Sequence, residues 1–192
     1  CIEDLGIMRT LPNMIVIAPG DYYSTRKLVR EASKIYGPVY MRFTRDPIPF
    51  VYNEDEEFEI GKAKQIKEGN DISIIASGSV LHMAVEAAEK LEAEGVSVRL
   101  LDMHTIKPLD NEAVKKALEE TEAILTVEDH NIYNGLGSAV CEIAAELGKG
   151  RVKRMGVQDQ FGESGPYYKL LEQNGVTVEL IVDNVKGMLK ND

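Results

Sequence analysis

The segment Met41-Arg42-Phe43-Thr44-Arg45-Asp46 places two arginines where a run of strand-forming residues ends. A guanidinium is a planar, permanently charged fork that can hold two oxygens of a phosphate at once, so this is the best-equipped anion site in the sequence. Arg45, last in the run, is the natural anchor. Asp46 and the acidic run Glu54-Asp55-Glu56-Glu57 lie close enough in sequence to offer an ordinary surface ion pair instead, and position alone leaves both uses open. Ser77-Gly78-Ser79 sits between a strand and a helix, where hydroxyls and free helix N–H groups can seat an anion. No phosphate-loop glycine pattern surrounds it, so a plain helix cap is the stronger reading of Ser79.

Glu128-Asp129-His130-Asn131 ends another strand, just ahead of Asn134-Gly135-Leu136-Gly137-Ser138. Carboxylates beside a histidine can raise its pKa and make it an acid or base. No nucleophile accompanies it, which favours a polar network fixing an interface. His82 and His104 have no neighbour at metal-ligand spacing, and Phe161-Gly162-Glu163-Ser164-Gly165-Pro166 reads as a turn-rich entry to a helix in which Glu163 can hold a backbone or partner contact. From these residues neither a catalytic group nor a metal site is assigned.

Strand, turn and helix alternate along the chain that must position these groups. Residues 1–50 predict a short helical start, a strand over 14–18 ended by Pro19-Gly20-Asp21, a helix over 22–36 and a strand over 39–44. The stripe Leu28, Val29, Ala32 and Ile35 gives that helix one apolar face, and Gly37-Pro38 stops it. This is a βαβ unit whose crossover favours parallel pairing, with its other sheet neighbours expected outside the chain. Two prolines at 47 and 49 and the acidic run 54–57 predict a linker. Beyond it, strands over 58–65, 72–76, 96–101, 123–127 and 152–157 alternate with helices over 81–94, 111–120, 136–147, 167–174 and 176–190. Asp110 or Asn111 is a cap, and Gly95 and Gly148 are stops. The expected fold is α/β: a partial βαβ unit in 1–56, then a doubly wound, mostly parallel-sheet domain in 57–192.

Bulk composition bounds the function. The 192 residues, 44% hydrophobic, suffice for a real core. The formal charge of −10 is uneven: residues 1–50 carry 7 Lys and Arg against 5 Asp and Glu, leaving 15 against 27 beyond. An acidic body repels nucleic acid, so no nucleic-acid partner is expected. No apolar run is long enough to span a bilayer and no signal peptide opens the chain, which predicts a cytoplasmic protein without a membrane partner. Cys1 and Cys141 are too few for a disulfide framework and are expected to be plain thiols. The sequence opens on Cys1, without a cap or turn, as though inside a domain.

Four segments in order carry a resemblance that covers nearly the whole chain. They are Arg9-Thr-Leu-Pro-Asn-Met14 with Pro19-Gly20-Asp21, then Gly37-Pro38 through Arg45-Asp46. Leu125-Thr-Val-Glu-Asp-His130 with Gly135-Leu-Gly-Ser-Ala-Val140, and Phe161-Gly-Glu-Ser-Gly-Pro166, complete the set. Together they resemble the transketolase family, specifically the separate C-terminal half of its split forms. The resemblance implies that 1–56 is the end of a pyrimidine-binding domain with its linker, and that 57–192 is the C-terminal domain. It implies thiamine diphosphate and Mg2+ in the complete enzyme, two-carbon ketol transfer between ketose and aldose phosphates, an N-terminal section or subunit as partner, and a homodimer.

In such enzymes the glutamate that activates the aminopyrimidine, the aromatic stacked on it and a Thr-His-Gln segment all precede the point where this sequence begins. The piece alone is therefore expected to be inactive and to bind neither cofactor nor metal. What carries over is the arginine at the strand end, matching Arg45, which in the family grips the substrate's distal phosphate. Arg42 is the weaker substrate-binding candidate, since a similar Arg-x-x-Arg occurs in the related deoxyxylulose phosphate synthases. Those synthases are the nearest enzyme alternative. A 2-oxoacid dehydrogenase subunit is less favoured because Arg45 would go unexplained. A non-catalytic oligomerisation module is the alternative of a different class.

Overall fold

The computed structural model describes residues 1–190. Its elements in chain order are α1 (Asp4–Thr10), β1 (Ile15–Ile17), α2 (Tyr22–Ala32), β2 (Val39–Met41), β3 (Lys64–Lys67) and β4 (Ile72–Ala76). After a 3-10 turn at Gly78–Val80 come α3 (Leu81–Ala93), β5 (Val98–Asp102), β6 (Thr105–Lys107), α4 (Asn111–Glu120) and β7 (Ile124–Asn131). The chain continues through α5 (Leu136–Leu147), β8 (Val152–Val157), α6 (Tyr167–Gln173) and α7 (Val178–Lys190).

The β-branched runs assemble as a five-stranded sheet in the order β3-β5-β4-β7-β8. It is parallel throughout except at β3, which pairs antiparallel with β5. Alternate side chains on a strand face opposite sides, and this sheet buries both. Ile72, Ile74, Leu100 and Leu125 face the helices α3 and α7 through Leu81, Leu91, Ile181 and Val185. Ile75, Leu101 and Ile124 face α4 and α5 through Val114, Leu118, Val140 and Ile143. Each such side chain contributes about 1.5–3 kcal/mol by leaving water. The result is the doubly wound α/β layering expected from the sequence.

The N-terminal βαβ unit is not left without neighbours. β1 pairs parallel with β2 and, on its other side, antiparallel with β6, making a three-stranded sheet in the order β2-β1-β6. On the β1 side this corrects the expectation that the unit's other strands lie outside the chain, while among the described residues β2 is an edge strand of this sheet. β6 is three residues long and follows β5 closely, so it leaves no alternation long enough to read. Leu5, Val16 and Ala18 also join the α4/α5 side of the larger core.

Other differences have local causes. α2 ends four residues early because Lys34 and Ile35 donate to the carbonyls of Glu31 and Ala32, three residues back, tightening the last turn. β3 begins at Lys64 rather than 58, since Lys62 donates to the Glu59 carbonyl and Gly61 takes a φ of +86° in the turn before it. Phe58, in the stretch expected as strand, is buried against Tyr52 and His104. β7 runs on to Asn131, so Glu128, Asp129 and His130 are strand residues. Asp110 caps α4 by accepting the Ala113 N–H, and Gly148 ends α5 in the left-handed conformation.

The stretch 46–57 is fastened to α2. Asp21 caps that helix in a reciprocal box with Ser24, and its other carboxylate oxygen accepts the backbone N–H groups of Val51 and Tyr52 at 3.0 and 2.9 Å. The acidic side chains ahead of β3 pair with Arg26, Lys27 and Lys64. These pairs are largely exposed and contribute little individually.

Candidate functional site

β1, β2 and β4 all point their C-terminal ends at one cleft of about 340 Å³. That edge of an open α/β sheet is where ligands bind, because the chain leaves the strands there in both directions. Arg42, Arg45, Tyr40, Ser79, Asp129 and Tyr167 are among its lining residues. The two arginines singled out from the sequence are thus brought together, but they are held differently.

Arg45 stands at the rim with a side chain 98% exposed, and its Nε lies a loose 3.9 Å from Asp46 Oδ1. The surface ion pair allowed by the sequence is therefore slack, and the fork stands in solvent at the rim of the cleft. Arg42 has been drawn inward. Its Nη1 is 3.1 Å from Asp129 Oδ1 and its Nε 3.6 Å from Asp4 Oδ2, while Nη2 donates to the carbonyls of Asp129 and Cys1. Burial pulls its pKa down, but Asp129 and Asp4 outweigh that and the net shift is upward. Its charge is balanced inside the protein, so of the two arginines Arg45 is the one with charge to offer an anion.

Hydroxyls complete the floor of the cleft. Tyr40 donates to Asp4 Oδ2 at 2.7 Å, and burial together with that carboxylate pushes its phenol up to about 12. Ser79 and Tyr167 both donate to Asp129 Oδ2. Ser79 thus turns toward the Asp129 carboxylate, and the seat suggested by Ser77-Gly78-Ser79 is filled from within. A second cleft of about 460 Å³ shares Arg42, Asp129 and Tyr167 and is also lined by Glu163 and Leu170.

The Glu128-Asp129-His130 segment divides by strand alternation. Asp129 faces the cleft, whereas Glu128 and His130 are fully buried on the other side. Glu128 accepts the N–H groups of Leu136 and Gly137 at 2.7 and 2.8 Å, closing the N-terminus of α5. Burial pushes its carboxyl up to about 7, against the pull of those two donors. His130 accepts the Gly6 N–H on Nε2 and bonds the Asn131 carbonyl through Nδ1, a pattern that fixes the neutral ring. Burial lowers its pKa. It therefore joins α1 to β7 and is a structural, not an acid–base, residue.

The other histidines are comparably occupied. His104 is buried at the edge of Phe58 with its pKa lowered by burial to about 4. His82 bonds the Ser79 carbonyl and has its pKa lowered, also by burial. Sequence reasoning places none of Asp4, Asp129 and Tyr167 in this cleft. Asp129 carried a signal, a carboxylate at a strand end, but Asp4 and Tyr167 are brought in only by tertiary packing.

A doubly wound domain with two arginines in a cleft at the sheet's C-terminal edge defines the class: an α/β protein with a cleft on its sheet edge. The family model described as "Transketolase, C-terminal domain" matches residues 61–181, and the chain belongs to that family. It is 42% identical over 193 residues to a protein of Methanocaldococcus jannaschii named for the transketolase C-terminal section, covering 99% of this chain and 60% of the relative. A solved structure titled "Split gene transketolase, inactive beta4 tetramer" superposes with a TM-score of 0.94 at 44% identity, covering 98% of this chain and 62% of that one. A 1-deoxy-D-xylulose-5-phosphate synthase of Bacillus cereus is 36% identical over 193 residues, 98% of this chain and 31% of the relative. The chain thus spans about three-fifths of the first two proteins.

Proposed function

We propose that this chain is the C-terminal section of a transketolase which, with an N-terminal section as partner, moves a two-carbon ketol unit between ketose and aldose phosphates. Thiamine diphosphate, with Mg2+, supplies the carbon–carbon chemistry in the complete enzyme. No cluster of three or more His, Cys, Asp or Glu side chains placed to hold a metal ion occurs among the described residues. The lining of the 340 Å³ cleft offers a diphosphate one exposed guanidinium beside three carboxylates, Asp4, Asp46 and Asp129. These residues do not fit the cofactor, which is assigned to the partner section, and this chain alone is inactive. Residues 1–56 complete a pyrimidine-binding domain and 57–192 form the C-terminal domain.

The contribution of this chain is placement. The observation that carries the reading is Arg45, 98% exposed at the rim of a cleft on the ligand-binding edge of the sheet. There it holds the distal phosphate of the sugar, while Arg42, neutralised by Asp4 and Asp129, shapes the cleft beside it. The assembly is a homodimer, and its place is the cytoplasm, a setting that suits the free thiols of Cys1 and Cys141. Among the described residues no helix is long and apolar enough to cross a membrane.

Arg45→Ala in the complete enzyme tests the assignment. A lost charge-assisted fork is worth roughly 1.5–3 kcal/mol, so KM for a phosphorylated aldose rises about 10- to 100-fold. KM for an unphosphorylated acceptor stays as it is. An unchanged KM for the phosphorylated aldose removes Arg45 as the anchor.

A further inference from the structure

We infer that Asp129 is a positioning residue for phosphate binding: from the large α/β domain it fixes the segment after β2 that leads to Arg45. The inference rests on the reading of Arg45 as the phosphate anchor. β2 ends at Met41, and the segment 42–44 that leads to Arg45 has no regular secondary structure. The Arg42 N–H donates to the Ile17 carbonyl at 2.9 Å, the bond that carries the β1–β2 pairing past the end of β2. From there to Arg45, the aim of the backbone depends on how the Arg42 side chain is tied.

That tie is made mainly to one residue of β7. Asp129 meets Arg42 twice: its carbonyl accepts a hydrogen bond from Nη2 at 3.0 Å, and its Oδ1 forms an ion pair with Nη1 at 3.1 Å without hydrogen-bond geometry. Its remaining oxygen, Oδ2, accepts from Tyr167 at 3.1 Å and from Ser79. Three elements of the large domain therefore converge on one carboxylate: β7 itself, the turn before α3 and the start of α6. A guanidinium hydrogen-bonded to two carbonyls through Nη2 and ion-paired through Nη1 has a defined place. Arg42 can pass that definition along three residues to Arg45. The same pairing neutralises Arg42, which keeps the phosphate from being drawn past the rim to the deeper cation. Asp129 need not touch the substrate to act in this way.

The complete enzyme carrying Asp129→Asn, Tyr167→Phe, Arg45→Ala and the double change Arg45→Ala with Asp129→Asn provides the test. KM and kcat are measured for a phosphorylated aldose and for a short aldose without phosphate. Asp129→Asn is expected to raise KM for the phosphorylated acceptor roughly five-fold or more, with kcat held within about two-fold and the unphosphorylated acceptor unaffected. Tyr167→Phe, which keeps the carboxylate and deletes one donor, shifts KM the same way by less. The double variant shows no rise beyond Arg45→Ala, because Asp129 acts through Arg45. Equal losses for both acceptors, a fall in kcat alone, or an additive double variant would overturn the inference while leaving Arg45 as the anchor. Should Arg45→Ala itself leave the phosphate KM unmoved, the underlying reading fails and this one with it.

Discussion

Asp102 is wholly buried, accepts a 2.8 Å bond from the Tyr52 hydroxyl through Oδ2, and has no hydrogen-bond partner for Oδ1. Burial pushes its carboxyl from 3.8 up to about 7, with Asp21 adding to the rise and Tyr52 opposing it. Glu128 is pushed from 4.5 to about 7 in the same way. Folding therefore binds these protons more tightly than the unfolded chain does. Their contribution is complete below about pH 4 and is lost as pH rises through 7. The contribution of these two carboxyls to the thermal midpoint is expected to fall by about 5 °C or more between pH 5 and pH 8, against an opposite contribution from His82, His104 and His130, whose pKa values burial lowers. Asp102→Asn, which cannot ionise, should flatten that slope in scans at the same pH values, and a slope identical to that of the parent would show that Asp102 titrates normally. The two arginines illustrate what can be read at this scale. Their chemistry was plain in the sequence, but their division of labour was not, because the partner that neutralises Arg42 lies 87 residues away.

At the scale of elements, the strands and helices of the large domain followed from alternation and capping, because their apolar runs are long and their stops are glycines. What escaped was short or paired at a distance. β6 is three residues long and gains its stability from β1, so nothing local marks it. β7 extends past the apolar run into Glu128, Asp129 and His130, polar residues that strand formation nevertheless buries or half-buries because each has a partner. The start of α5 shows how tightly such partners are set. A Cβ on Gly135 would lie 2.1 Å from Glu128 Oε2 and 2.6 Å from His130 Nδ1, so the glycine is needed for room although its φ of −81° suits any residue. Gly135→Ala must displace the carboxylate that closes the helix. It is expected to cost about 3 kcal/mol, read as a lower urea midpoint. A loss within about 0.5 kcal/mol would mean that the Glu128 side chain has somewhere else to go.

The whole molecule is less divisible than its sequence suggests. The linker prolines and the acidic run mark a boundary near residue 57, yet the core crosses it. Leu5 and Val16 pack in one cluster with Leu101, Ile124 and Val140. β6 of the large domain completes the small sheet, and His130 bonds the backbone of α1. The surface also leaves aromatic area uncovered. Tyr22 and Phe50 are more than half exposed, and their rings cluster with Tyr23 at centroid distances of 5.3 to 6.1 Å. An exposed aromatic patch of this kind is a surface that the proposed homodimer could bury. Both features should appear in one experiment. Urea unfolding followed by circular dichroism and by tyrosine fluorescence is expected to give a single coincident transition for the entire chain, since no apolar layer can melt without exposing another. Its midpoint should rise with protein concentration, because association stabilises the folded form by mass action. Two separated transitions would make residues 1–56 an independent unit. A midpoint indifferent to concentration, with a monomer in sedimentation, would reject the dimer and leave the shared core standing.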